Sequence, residues 1–213
     1  MKHDLASGVG HSTADVERAD SVATVVAHYV AELRSLLEVL DVDALDRLTQ
    51  HFRTVRDAGR TVFIAGNGGS AATATHWVND LSKAASRSGR TPFRCICLSD
   101  NVSWLTALAN DEGYERVFTG QLENLATPGD LLVLISASGS SPNLIDAVRF
   151  AGSRGLVTGA LVGFDGGQLR DLVDACVWVE TPKGAYGVVE SMHSVMADMI
   201  TTFLIGDRAG SDQ

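Results

Sequence analysis

Two short loops rich in glycine and serine carry residue types suited to binding an anion. The first is Gly66-Asn67-Gly68-Gly69-Ser70, after the apolar run 61–65, and the second is Ser136-Ala137-Ser138-Gly139-Ser140-Ser141, after the apolar run 131–135. A strand that ends in such a loop and restarts as a helix directs unpaired backbone N–H groups and a positive helix end at one point. The pair of loops therefore predicts one phosphate site, held by the hydroxyls of Ser70, Ser136, Ser138 and Ser141.

Other interpretations exist for each loop. Gly66, Gly68 and Ala71 also match the Gly-x-Gly-x-x-Gly/Ala fingerprint of dinucleotide-binding proteins. That fingerprint expects an acidic residue about twenty positions further on, and the nearest candidate, Asp100, comes late. The second loop, 136–141, fits a plain flexible turn as well. Either alternative leaves the other loop unexplained, which favours the phosphate site.

Four further side chains have the types and spacing of acid–base groups or metal ligands. His76 and Asp80 are four residues apart, so on a helix they share one face, as two metal ligands, an acid–base pair or a solvated pair would. Glu190 and Asp198 lie two turns apart on a predicted helix, 188–205, that is mostly apolar. If buried there, these acids must be paired, protonated or bound to a cation; the alternative is a solvated polar stripe.

Alternating apolar runs and helical segments predict the elements that position these groups. Five runs predict strands, namely 61–65, 94–98, 130–135, 157–163 and 175–180. Strands that alternate with helices predict an α/β fold with a parallel, doubly wound sheet, whose ligand site lies at the carboxyl ends of the strands. Before the first strand, helical spacing predicts two helices between Asp20 and Ala58, joined near 41–43, and such a prefix often packs against a partner subunit. The whole forms one predicted domain over 21–207, between a flexible tail at 1–20 and a short tail at 208–213.

Composition limits the function classes. The chain has 213 residues, 45% of them hydrophobic, which suffices for the core of one α/β domain. Its net charge of −9 argues against direct nucleic-acid binding, and its short apolar runs argue against a membrane partner. The start of the chain lacks the apolar core of a signal peptide, and three cysteines are a sparse, odd set. We therefore expect a reduced, cytoplasmic location.

Five stretches occur in the order first loop, His76, segment 109–114, second loop and Asp165-Gly166-Gly167. In this order they resemble the sugar isomerase (SIS) domain proteins, specifically the phosphoheptose isomerase group. The resemblance spans roughly residues 20 to 205 and includes the helical prefix. It implies a three-layer αβα sandwich with a parallel sheet, and a homotetramer with helices at its centre. It also implies the conversion of sedoheptulose 7-phosphate into a heptose phosphate.

The same resemblance implies which residues form the site. Its substrate-binding positions are Asn67, Gly68, Gly69, Ser70, Asn110, Asp111, Ser136, Ala137, Ser138, Ser141 and Glu190. His76 falls on a zinc ligand of the family. Asp80, Glu190 and Asp198 complete the predicted metal set and are the predicted catalytic residues.

Several of these positions depart from the family pattern. Asp80 stands where the family has a glutamate that acts as ligand and base. With His193 placed on a family histidine, Glu190 replaces a glutamine, Asp198 replaces a second histidine, and Gly187-Val188 replaces an Asp-Arg pair. One histidine with three carboxylates suits a harder divalent ion than a two-histidine set does, so the identity of the metal stays open.

The implied reaction is an aldose–ketose isomerisation, with Asp80 or Glu190 as the base that removes a proton next to the carbonyl. The alternative is a SIS protein without activity that binds a phosphosugar or a protein partner. Acidic residues at all three changed positions favour the enzyme, because loss of function would more often leave apolar residues there.

Overall fold

Two helices precede the sheet in the computed structural model, which describes residues 21–85 and 91–207. They are α1 (Val22–Glu38) and α2 (Val42–Asp57), and the side-chain oxygens of Ser21 and Asp41 accept a backbone N–H in their first turns. Such caps contribute about 1 kcal/mol each to helix stability. The predicted pair of helices and its junction at 41–43 are confirmed. The tails predicted at 1–20 and 208–213 lie outside the described residues.

Strands and helices alternate through the remaining chain. The elements are β1 (Thr61–Gly66), α3 (Gly69–Lys83), β2 (Arg94–Cys97), α4 (Val102–Asp111), α5 (Thr119–Leu125), β3 (Leu131–Ser136), α6 (Pro142–Ser153), β4 (Val157–Val162), α7 (Leu169–Leu172), β5 (Ala175–Trp178) and α8 (Tyr186–Gly206). A short 3-10 helix, Tyr114–Arg116, joins α4 to α5. Every predicted strand is present with its ends within two residues of the prediction.

The five strands form one parallel sheet in the order β2-β1-β3-β4-β5. From β1 the chain crosses to β2 at one edge, and then returns to β3 on the other side of β1. The sheet is therefore doubly wound, as predicted. The carboxyl ends of β1 and β3 are adjacent, and the connections that follow them leave in opposite directions.

Alternate residues of the strands face two separate cores. Val62, Ile64 and Val133 pack with α2, α3 and α8, whereas Phe63 and Leu132 pack with α4, α5 and α6. Because side chains alternate along a strand and both faces are covered, the central strands are apolar at nearly every position. The α/β class with three layers is thus confirmed.

Among the described helices, α8 is the one whose length and apolar composition match a membrane span, and half of that stretch is buried within the protein. The burial is that of a core helix, because Met192, Met196 and Ile200 pack against the sheet.

His193 is fully buried on α8. Within the described part of the chain, neither of its ring nitrogens has a hydrogen-bond partner of good geometry. Burial lowers the pKa of His193 from 6.5 to about 4, and the Val162 backbone offsets only a smaller part of this effect. The folded protein therefore holds a neutral imidazole well below pH 6.5.

This burial predicts a loss of stability in mild acid. As the pH falls below 6.5, the unfolded chain protonates His193 and the folded chain does not until about pH 4, so the free energy of unfolding decreases across that interval. The full loss from this residue is about 3 kcal/mol. Urea unfolding near neutral pH and again near the lower end of the interval should give a smaller difference for His193→Gln than for the wild type. The exposed His28→Gln variant should keep the wild-type difference, and an unchanged difference in His193→Gln would contradict the assignment.

Candidate functional site

A cavity of about 140 Å³ lies where the carboxyl ends of β1 and β3 meet. Its lining consists of Asn67, Ser70, Ile135, Ser136, Ala137, Ser138, Ser141, Leu144, Tyr186 and Glu190. Ligands of doubly wound sheets bind at this position, outside the strand ends where the chain reverses direction. The structure thus brings the four predicted phosphate-binding serines to one cavity.

The loop after β1 leaves backbone donors available for a ligand. Gly68 begins α3 with φ of 54°, a value that L side chains rarely adopt, and none of the described side chains caps this helix. A Cβ at Gly66 would lie 2.7 Å from the Ser70 carbonyl carbon, so only glycine permits this tight return. The first N–H groups of α3 therefore have no side-chain hydrogen bond within the described chain.

The loop after β3 is shaped by its own serines. The buried Ser136 hydroxyl accepts the Gly139 N–H at 3.0 Å, and the Ser138 hydroxyl accepts the Ser140 N–H at 3.3 Å. Each hydroxyl retains its hydrogen for a ligand oxygen. Pro142 then begins α6, again without a capping side chain among the described residues. The serine hydroxyls and the start of α6 thus lie at the same cavity.

A third loop, after β4, packs against the backbone of the serine loop. A Cβ at Gly139 would overlap the Gly166 carbonyl oxygen, and a Cβ at Gly167 would overlap the Ser138 carbonyl oxygen. The Leu169 N–H also donates to the Gly139 carbonyl at 2.9 Å. This backbone-to-backbone contact accounts for the Gly166-Gly167 pair and holds the serine loop in place.

Glu190 and Tyr186 close the cavity from the start of α8. The Glu190 carboxylate lies directly against Gly69, since a Cβ there would overlap it. Tyr186 packs edge-on against Phe164, with ring centroids 5.1 Å apart. Phe164 has a φ of 47°, and this strained conformation is held by hydrogen bonds to Thr181 and Trp178. The cavity therefore has hydroxyls and N–H groups on one side and a carboxylate with a phenol on the other.

Comparison with known proteins agrees with this geometry. A sequence model of the SIS domain matches residues 28–163, which is more than half of the chain. The chain belongs to the SIS domain family. Its five-stranded parallel sheet with flanking helices is thus the fold of a SIS domain.

Individual relatives narrow the group within that family. The phosphoheptose isomerase of Trichlorobacter lovleyi is 37% identical over 168 residues, covering 78% of this chain and 83% of that protein. The lincomycin biosynthesis protein LmbN of Streptomyces lincolnensis is 33% identical over 198 residues, covering 89% of this chain and 72% of that protein. The solved structure of the phosphoheptose isomerase GmhA from Neisseria gonorrhoeae superposes with a TM-score of 0.78 at 26% identity, covering 87% of this chain and 97% of that one. This SIS domain therefore groups with the phosphoheptose isomerases.

The four predicted metal ligands are not gathered in one place within the described part of this SIS protein. The described residues contain no cluster of three or more His, Cys, Asp or Glu side chains able to hold a metal ion. Helices α3 and α8 pack in a register that sets Glu190 against Gly69, Thr73 against Ser194, and Trp77 against Thr201. His76 is seven residues beyond Gly69, about 10 Å further along α3.

The other predicted metal and catalytic residues lie away from the cavity. The His76 side chain is 64% exposed and contacts Asp80, with its Nε2 3.2 Å from Asp80 Oδ2. Asp198 is exposed on α8 and is not among the cavity residues. His76 and Asp80 thus form an exposed pair on α3, and their role as metal ligands stays a prediction. Of the predicted catalytic residues, only Glu190 lines the cavity.

The remaining predicted substrate-binding residues are divided between two locations. Gly68 lines an adjoining pocket of about 170 Å³, which shares Asn67 with the cavity. Asn110 and Asp111 are exposed at the end of α4, where the Asn110 amide donates to the Asp111 carboxylate at 2.7 Å, and they line neither space. Their contact with a ligand stays a prediction.

Sequence reasoning missed Asn143, Tyr114 and Tyr186. Asn143 is fully buried and hydrogen-bonds to Asn67, as does the Tyr114 hydroxyl. Asn143 stands two residues after the last serine of its loop, an uncommon place for a buried amide, and this spacing was the available signal. No local pattern distinguishes Tyr114 or Tyr186 from other half-exposed aromatic residues.

Anion binding by the serine loop can be tested directly. Ser138→Ala should weaken the binding of inorganic phosphate about tenfold, because a hydrogen bond to a charged group contributes about 1.5–3 kcal/mol. Calorimetric titration measures this affinity. Ser153→Ala is the matched control, since that hydroxyl donates only to the Phe150 carbonyl at the far end of α6. Equal phosphate affinities for the two variants would remove Ser138 from the site.

Proposed function

We propose that this SIS protein is a phosphosugar aldose–ketose isomerase, acting on sedoheptulose 7-phosphate or a closely related sugar phosphate. The observation that carries the proposal is one cavity with anion-binding groups on one side and the Glu190 carboxylate on the other. The relatives named as phosphoheptose isomerases support the substrate class.

The two ends of the cavity would bind different parts of the substrate. Ser136, Ser138 and Ser141 would bind the phosphate beside the start of α6. The Glu190 carboxylate already occupies the start of α3, where a second anion would be repelled. The phosphate therefore belongs with the serine loop, and the reacting carbons of the sugar lie towards Glu190.

Glu190 would act as the base. It takes a proton from C1 of the ketose while the C2 carbonyl oxygen gains one, which gives the cis-enediol. The enediol then loses the O1 proton and receives a proton from Glu190 at C2, which gives the aldose. Water exchanges the two oxygen protons, so the sequence is balanced without any oxidant or reductant.

A divalent metal, zinc by family resemblance, would supply Lewis-acid stabilisation of the oxygen charge. The donor set implied for it was His76, Asp80, Glu190 and Asp198. Because Glu190 lies about two helical turns from His76, these donors do not fit one ion within a single chain.

The second candidate is a SIS protein that binds a phosphosugar or a protein partner without turnover. The position of Asp80 and Asp198 outside the cavity is the observation in its favour. The two candidates differ in one measurable respect, because only the isomerase interconverts ketose and aldose.

The turnover assay also tests the role of Glu190. Glu190→Gln should lower kcat for sedoheptulose 7-phosphate by at least about a hundredfold, since general-base catalysis typically contributes two to four powers of ten. Its affinity for the phosphosugar should not fall, because one negative charge is removed near the phosphate. Asp198→Asn is the control at an exposed position of the same helix, and its kcat should be close to the wild-type value. A wild-type kcat in Glu190→Gln would contradict the proposal.

We also propose a homotetramer in the cytoplasm, built through α1 and the end of α8. Val22, Val26 and Val30 on one face of α1 are 80%, 55% and 57% exposed, and Phe203 on α8 is 49% exposed. None of the residues of α1 is buried within the described chain. A stripe of this kind is the surface that a second copy covers in symmetric assemblies. The three free cysteines support the reduced compartment.

A charge on this stripe should break the assembly. The double variant Val26→Asp/Val30→Asp should have a lower mass than the wild type by light scattering at micromolar concentration, because each carboxylate would be buried without a partner. Val102→Asp, at an isolated exposed position of α4, should leave the mass unchanged. A wild type that is already monomeric would refute the proposed assembly.

A further inference from the structure

The side chains of Asn67, Asn143 and Tyr114 are linked by hydrogen bonds, two of which end on the Asn67 Oδ1 atom. Asn67 Nδ2 donates to Asn143 Oδ1 at 3.0 Å, and Asn143 Nδ2 donates back to Asn67 Oδ1 at 2.9 Å. The Tyr114 hydroxyl donates to the same Asn67 Oδ1 at 3.0 Å. Asn67 belongs to the loop after β1, Asn143 to the start of α6, and Tyr114 to the 3-10 helix.

These bonds nearly exhaust the capacity of the Asn67 amide. An amide oxygen has two lone pairs, and both are used here, by Asn143 and by Tyr114. One of the two N–H groups is used as well, so a single N–H remains for a ligand. The Asn143 side chain is 1% exposed and directs both of its amide atoms at Asn67.

We propose that Asn143 and Tyr114 are positioning residues that hold Asn67 and thereby fix the distance between the β1 loop and the serine loop. This inference rests on the proposed function, because it concerns how the same site spans a phosphosugar. In this arrangement Asn67 links the two loops and offers the ligand one N–H at most.

Such a link matters because the two sides of the cavity would bind different parts of the phosphosugar. The serine loop would hold the phosphate, whereas Gly69 and Glu190 belong to the other side. A phosphosugar contacts both sides, and a displacement of about 1 Å between them costs on the order of a hundredfold in rate. Inorganic phosphate contacts the serine side alone, so its binding does not depend on the distance between the loops.

The test compares these two ligands in Tyr114→Phe and Asn143→Ala. Tyr114→Phe removes one hydroxyl from a half-exposed ring and should fold normally. It should weaken sedoheptulose 7-phosphate binding about fivefold, and Asn143→Ala should weaken it about tenfold or more. Both variants should bind inorganic phosphate within about twofold of the wild type. The double variant should lose less than the product of the two single effects, because both act on Asn67 Oδ1.

Gln121→Met is the matched control for the loss of a buried amide. The Gln121 side chain is 2% exposed, and its amide donates to the Leu98 and Val117 carbonyls away from the cavity lining. This variant should have a lower Tm, with both ligand affinities unchanged. A merely structural role for Asn143 predicts the same pattern for Asn143→Ala, so the selective loss of the phosphosugar separates the two roles.

Three outcomes of these binding measurements test the positioning role. Selective weakening of the phosphosugar in both single variants supports the inference. Unchanged affinities, or an equal loss of phosphate and phosphosugar, overturns it while the wild type still binds both ligands. A wild type that binds inorganic phosphate but not sedoheptulose 7-phosphate overturns the proposed substrate, and with it the positioning role assigned for that substrate.

Discussion

The reversal of the chain between β1 and β3 is the constraint on which the site depends. Because the two strands are parallel neighbours whose connections leave in opposite directions, their carboxyl ends face one cavity. Glycine permits the tight return of the loop after β1 at Gly66, and it permits the serine loop to approach the loop after β4 closely at Gly139. The same reversal brings the starts of α3 and α6 to one cavity. Its lining, among the described residues, contains no cationic side chain, so the helix starts supply the positive potential there.

Charge then distinguishes the two helix starts. Glu190 lies against the start of α3, so the start of α6 with its serines is the remaining place for a phosphate. A carboxylate beside bound phosphate would cost electrostatic energy, which keeps the phosphate on the side of the serine loop. The cavity is therefore asymmetric, and this asymmetry orients a phosphosugar with its reacting carbons towards α8.

Local sequence patterns were enough to predict most of the fold and about half of the candidate site. The strands and the glycine and serine loops were predictable because period, turn residues and helix starts are encoded within a few neighbouring residues. Whether the predicted metal ligands come together depends on how α3 and α8 align, which no local pattern encodes, and His76 lies about two turns along α3 from the residue that Glu190 contacts. Asn143 and Tyr114 were missed for a related reason, because Asn67 contacts them across 76 and 47 residues of sequence.

Solvent exchange during turnover tests the central claim most directly. If one carboxylate shuttles a proton between adjacent carbons, sedoheptulose 7-phosphate incubated with the protein in D₂O should lose proton signal at C1, and its aldose product should carry deuterium at C2. Proton NMR records both positions in a single experiment. Deuterium at these carbons is the predicted result. Tight binding of the phosphosugar with no deuterium incorporation and no aldose would contradict the account and favour a binding protein.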